Sequence, residues 1–336
     1  MNIRVITPGL LTTVQDAGRS GHASIGVGNA GAMDSVALRL ANYLVGNSHR
    51  SAGLEITLLG PRLRFDDDTL IALTGAPIRA HCDDSEVPSW RPVAIRAGSE
   101  LTLGGMRHGA RSYLAIAGGI DTNCVLGSRS SDLNAGLGPP MLVAGAALAT
   151  HRAPVDVGGR LWKQLDADRA RTRAKMVAAT WLIDPAPWFD PATQTPLRMI
   201  AGSHCPHLDQ GSRRALFDTG FRVGVDSNRT GYRLEGARLA LRKPLELVSE
   251  GVSTGTVQLP PGGQPIVLMA EAPSCGGYPR IGQIIAVDLP RLAQYRPGET
   301  LHFVETSLDD AQTRYLQRER ALSRIAQNIA RRLRED

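Results

Sequence analysis

Val14-Gln15-Asp16-Ala17-Gly18-Arg19 places an amide, a carboxylate and a guanidinium within six residues of one glycine-containing turn. An amide donates and accepts at once, a carboxylate can move a proton, and a guanidinium can grip an oxyanion through two parallel hydrogen bonds. Gly31-Ala32-Met33-Asp34 follows, a second glycine turn leading into a helical pattern. Glycine lets a backbone N–H come close to a ligand. The same residues also read as plain structure: Asp16 and Arg19 as a turn-fixing ion pair, Asp34 as a helix cap. Residue type and spacing leave both readings standing.

Generic catalytic signatures are missing. The sequence holds no G-x-x-x-x-G-K-[ST] phosphate loop, no H-E-x-x-H and no G-x-S-x-G elbow. Of eight histidines, only His204 and His207 are spaced as metal ligands could be, and they lack further partners, so no metal site is expected. Ala174-Lys175-Met176 lacks the methionine that precedes a biotinylated lysine, so no covalently bound biotin is expected on this chain.

The elements that must position these residues are short. Apolar runs bounded by Gly, Pro, Asp and Asn predict strands at 3–6, 56–59, 69–73, 93–96, 100–103 and 112–117. In the second half the same pattern predicts strands at 197–201, 239–241, 245–248, 257–259, 266–270, 284–287 and 301–305. They do not alternate with helical stretches, which argues for closed barrels or sandwiches over a parallel sheet. Helices are predicted at 35–45, capped by Asp34, at 160–181, and from Ser307-x-x-Asp310 onward. The last carries Leu308, Tyr315, Leu322 and Ile329 at seven-residue spacing, a stripe suited to docking on this chain or on a sister chain. A connector with Pro185, Pro187, Pro191 and Pro196 suggests domains at 1–149 and 196–305, a linker at 150–195 and a C-terminal helix at 306–336. The two halves share a similar cadence of strand and glycine turn.

Composition narrows the classes. The chain has 336 residues, 42% apolar and only 4% aromatic, with 36 glycines and 21 prolines, which suits short strands and tight turns. The net charge of +6 is concentrated in 160–175 and 314–334, which read as solvated helix faces, and no nucleic-acid reading motif accompanies them, so nucleic acid is not the expected partner. Cys82, Cys124, Cys205 and Cys275 are scattered, as reduced thiols would be. No apolar run approaches the ~20 residues of a membrane helix, and no secretory signal is read at the N-terminus, so a cytoplasmic protein is expected.

Ordered blocks give the sequence a resemblance. Gly9 to Arg19, Gly31 to Asp34, Ala41 to Asn47, Leu54 to Pro61, Tyr113 to Ile120 and Val125 to Ser130 are followed by Ser227 to Gly236, Ser249 to Val252, Val257 to Pro260 and Gly276-Gly277-Tyr278-Pro279. Together they resemble the biotin-dependent carboxyltransferase family, which contains the C-type component of 5-oxoprolinase, the KipA-like proteins and the group once called allophanate hydrolase subunit 2. The resemblance implies a mainly β chain of two cyclophilin-like β-barrel domains with a few helices. It implies work on an amide-like substrate beside partner chains: ring opening of 5-oxoproline with KipI-like (B-type) and LamB/YcsF-like (A-type) components, the assembled complex using ATP. Carboxyl transfer to urea or a similar amide, and a KipA-type role binding a KipI-like kinase inhibitor, are the alternatives.

Asp16, Glu55 and Glu250 then become candidate acid–bases. Gln15, Arg19, Asp34, Arg129, Arg229, Gln258, Gly276, Gly277 and Tyr278 become candidate substrate-binding residues. Two blocks depart from the family pattern: Glu271-Ala272-Pro273-Ser274-Cys275 stands for Asp-x-Gln-Thr-Thr, and Gly202-Ser203-His204 for Gly-Pro-Gln. Each change removes a glutamine amide, which implies a different substrate or a shift toward binding.

Overall fold

The computed structural model describes residues 2–152, 157–189 and 195–335. Pro191 of the predicted connector lies outside them. The chain is mainly β with few helices: α1 (Ser35–Leu44), α2 (Gly159–Thr172), α3 (Gln210–Asp218), α4 (Leu289–Leu292) and the long C-terminal α5 (Leu308–Glu335). Two compact units draw on non-contiguous stretches. The first takes Met1–Gly18, Asp34–Pro191 and Ala321–Asp336, and the second takes Arg19–Met33 and Ala192–Arg320.

The first unit is built on two antiparallel sheets. One runs Ile120–Asp121, Ala147–Thr150, Asn2–Thr7, Arg62–Phe65, Glu100–Met106, Ile78–Cys82, Ser85–Glu86. The other runs Met176–Ala178, Val93–Ile95, Thr69–Gly75, Arg111–Ile116, Gly53–Thr57, Leu11–Gln15. Every residue of the central strands Thr69–Gly75 and Arg111–Ile116 is buried, because α1 lies against both. The Asp34 carboxylate accepts from the Ala37 N–H at 2.9 Å, which pairs an N-terminal donor that the helix leaves open. Val36, Leu40, Ala41 and Leu44 of α1 face the core, and Gly46 in the left-handed region (φ 72°) ends the helical run. Each such leucine contributes roughly 1.5–3 kcal/mol by leaving water.

The second unit holds one eight-stranded sheet in the order Thr300–Leu301, Phe221–Val223, Gly231–Glu235, Ile266–Leu268, Thr256–Gln258, Arg280–Ile284, Leu197–Ala201, Phe303–Glu305. Its two edge strands are separated in sequence by His302 alone. A chain that turns over one residue cannot reach opposite edges of a flat sheet, so the sheet is curled into a nearly closed barrel. Leu197, Met199, Phe221, Val257, Val267, Ile281, Leu301 and Phe303 fill it, with the Phe221 and Phe303 rings 5.8 Å apart.

Some sequence expectations are corrected. The helix predicted at 160–181 ends at Thr172, because Arg173 adopts φ 60° and Met176–Ala178 must extend to pair with Val93–Ile95. The runs at 239–241 and 245–248 are not strands: Leu241 makes only an isolated bridge to Leu208, Pro244 precedes the second run, and Val248 is exposed. Ile284 closes the strand Arg280–Ile284, and the residues predicted to extend it turn into α4. Helix α3 went unseen because Gly211 and a run of polar residues leave only Ser212 and Leu216 buried. In the stripe of α5, Leu322 and Ile329 are buried in the first unit's core, while Leu308 and Tyr315 stay exposed.

Leu322→Ala is expected to cost about 2–5 kcal/mol, since Leu322 is fully buried, whereas Leu316→Ala should stay within about 0.5 kcal/mol. Urea unfolding of both variants checks this.

Candidate functional site

In the first unit the predicted residues Gln15, Asp16 and Arg129 come together. Asp16 Oδ1 accepts from the Gly18 N–H at 2.8 Å and from the Ser128 and Ser130 hydroxyls, each at 2.6 Å. Its Oδ2 accepts from the Arg129 N–H at 2.7 Å. The carboxylate is thus taken up by four protein donors and ties the strand Leu11–Gln15 to a loop more than a hundred residues away. The Gln15 amide donates to Thr13 Oγ1 at 3.1 Å and to the Ser131 carbonyl at 3.0 Å, entirely out of solvent. The Arg129 side chain turns outward, donating to Asp121 at 3.1 Å, with His151 Nε2 3.3 Å from its Nη2.

Asp34 and Glu55 meet around a buried tyrosine. The Tyr113 hydroxyl donates to Glu55 Oε2 at 2.7 Å and accepts from the Asp34 N–H at 2.7 Å. Arg111 Nε lies 3.6 Å from Glu55 Oε1. Burial first, then the nearby Glu55 and Asp34 carboxylates, hold the Tyr113 hydroxyl well above its ordinary pKa. Glu55 and Asp34 are both 1% exposed, so the network braces the sheet from within.

In the second unit, Arg229 Nε donates to Glu271 Oε1 at 2.6 Å, and its Nη2 donates to the Gly31 carbonyl at 2.7 Å. This buried pair holds the segment 19–33 in place. Arg19 is buried in that segment, its N–H donating to the Asn29 carbonyl at 2.7 Å. Gly28 is required there, because a Cβ would stand 2.6 Å from the Ala272 carbonyl oxygen.

The other predicted residues gather at a short two-stranded sheet whose strands are separated by 23 residues, 252–274, in sequence. Glu250–Gly251 pairs with Cys275–Gly276, and the Arg280 guanidinium binds the Glu250 carboxylate and donates to the Gly251 carbonyl at 3.3 Å. Gln258 sits opposite Arg280 in register, with its amide against Gly276, and Gly277 and Tyr278 follow, the tyrosine half exposed. Glu250 is the predicted acid–base that solvent reaches, its side chain 55% exposed.

Sequence reasoning did not assign roles to Ser128, Ser130, Tyr113, Arg280 or His204. The His204 N–H donates to the Arg280 carbonyl at 3.0 Å, and its Nδ1 accepts from the Arg280 N–H at 3.0 Å. That bond places the neutral ring's proton on Nε2. Burial, then the Arg280 charge, lowers the His204 pKa. Tyr113, Ser128 and Ser130 stand within the ordered blocks of the sequence and His204 within the departure at Gly202-Ser203-His204, whereas Arg280 carried no signal of its own. Among the described residues, no three His, Cys, Asp or Glu side chains cluster as a metal site would need.

Comparison with known proteins shows the family of the chain. The family model for the carboxyltransferase domain, subdomains A and B, matches residues 25–305. The C-type component of 5-oxoprolinase from Escherichia coli is 40% identical over 313 residues, covering 92% of this chain and 93% of that protein. Its counterpart of the same name from Haemophilus influenzae is 34% identical, covering 89% of each. The crystal structure of the Kluyveromyces lactis urea amidolyase superposes with a TM-score of 0.81 at 27% identity, covering 96% of this chain. This chain spans only 20% of that enzyme's length.

Asp16→Ala strands two buried hydroxyls and two N–H groups, so it should cost on the order of 3 kcal/mol and speed proteolysis of the 122–138 loop; denaturation and limited digestion measure both. NMR titration of His204 should give a midpoint below that of an ordinary histidine, because imidazolium is disfavoured by burial and by Arg280. Replacing Arg280 by Gln should move it upward.

Proposed function

We propose that this chain, which belongs to the carboxyltransferase-domain family of subdomains A and B, serves as the C-type component of a 5-oxoprolinase. The carrying observation is its match to the Escherichia coli protein along nine-tenths of both chains, against a fifth of the urea amidolyase. The reaction opens the 5-oxoproline lactam to L-glutamate. A lactam resists attack until its carbonyl is polarised, so the step needs donors where negative charge develops and a group that moves a proton.

The second unit's short two-stranded sheet supports both roles. Glu250 is open to solvent and oriented by Arg280, so it suits carrying a proton. Asp16 and Glu55 are occupied by protein donors and suit a bracing role. Gln258, Gly276, Gly277 and Tyr278 lie beside the same two strands and suit binding of the amide group. ATP serves the assembled complex, with phosphate handling in the KipI-like and LamB/YcsF-like partners, since this sequence carries no phosphate loop.

A second reading is favoured by the urea amidolyase likeness: carboxyl transfer to a urea-type amide from a separately carried biotin. Mixing the chain with both partner proteins, ATP and 5-oxoproline should release glutamate, and Glu250→Gln should lower kcat by about a hundredfold or more with the fold intact. Absence of glutamate from a well-folded, ATP-supplied assembly defeats the reading. Carboxyl transfer from carboxybiotin to urea would then support the second, and tight partner binding without either turnover a KipA-type regulator.

A further inference from the structure

Gln258 is 5% exposed, and its amide Nε2 makes no hydrogen bond among the described residues. Unpaired buried donors are uncommon because they forfeit hydration without compensation. This one lies over Gly276, where a Cβ would stand 2.6 Å from the nitrogen, and the next atom of another side chain, Val252 Cγ1, is 3.7 Å from that point. Gly277 continues the bare backbone, with Ser249 Oγ the nearest group to its missing Cβ at 3.5 Å. The segment Gly276–Gly277 thus leaves the amide reachable along two residues that carry no side chain.

A second donor stands beside the neighbouring strand. His204 is locked by the Arg280 N–H so that Nε2 carries its proton, and the residue is half-buried there. The charged groups beside it, Glu250 and Arg280, neutralise each other. The donors left over are neutral, which suits a neutral carbonyl better than a carboxylate. Gln15 offers a contrast: its unpaired Oε1 is fully enclosed and its nitrogen is bonded twice.

We infer that Gln258 and His204 are the two donors of a subsite for the carbonyl oxygen of a neutral amide, lactam or ureide, lying along Gly276–Gly277 beside the Glu250–Arg280 pair. The subsite deepens the proposed function and rests on the reading that the chain works on an amide-like substrate.

The test is ligand-observed NMR on the full chain, with 2-pyrrolidinone as a neutral lactam and acetate as an anion. The chain should bind 2-pyrrolidinone in preference to acetate. Gln258→Leu should weaken lactam binding about tenfold while leaving the thermal midpoint equal or higher, since an apolar side chain of similar shape removes an unpaired donor. His204→Phe should weaken it similarly, and His204→Gln should restore it. Preference for acetate, no binding of 2-pyrrolidinone by the native chain, or unchanged binding with a lowered midpoint in Gln258→Leu overturns the subsite. Glutamate release by the full assembly, undiminished in Gln258→Leu, overturns the subsite and leaves the 5-oxoprolinase reading standing. Lactam binding that depends on Gln258, in an assembly that releases no glutamate, does the reverse.

Discussion

A polar group taken out of water needs a partner, and most of this molecule's architecture follows from meeting that demand. Asp16 meets it with four donors, and so fixes where a distant loop must run. Glu55, Tyr113 and the Asp34 backbone meet it together across a fully buried strand, and α1 starts where that network ends. Arg229 meets it through Glu271 and the Gly31 carbonyl, which pins an N-terminal segment to residues two hundred positions later. Polar pairing here acts as the specifier of loop paths, while apolar burial supplies the bulk of the stability.

Against that background the short pairing of Glu250–Gly251 with Cys275–Gly276 stands apart. It is held by two backbone pairs and one half-exposed ion pair, and it faces the unpaired Gln258 amide nitrogen. The inferred subsite would account for a buried donor left open beside two glycines, since the groups of a site that accepts and releases a small polar molecule are satisfied only when it is occupied.

Local signals were legible in the sequence, and long-range ones were not. Asp34 and the stripe of Val36, Leu40 and Leu44 announced α1 because cap and period lie within one segment. The strand Leu197–Ala201 was read to the residue, since Pro196 and Gly202 bracket it. Leu245 to Val248 misled because an apolar run says nothing about whether a sheet stands beside it. Of the candidate site, the glycines and polar side chains at Glu250, Gln258, Gly276 and Gly277 were readable as motif residues. The bonds from Ser128 and Ser130 to Asp16 span 112 and 114 positions, and no local pattern encodes such a meeting. The same holds for Arg280, whose partner Glu250 stands 30 positions away, with three other strands between them in sequence.

The barrel whose first and last strands straddle His302 carries a consequence for biosynthesis. Its closing strand ends at Glu305, and the first unit's core waits for Leu322, Ile329 and Leu333. Neither hydrophobic interior can therefore be sealed until these late residues have left the ribosome. Nascent chains of this protein carry open sheet edges and uncovered apolar faces throughout elongation, which makes them clients for chaperone holding during translation.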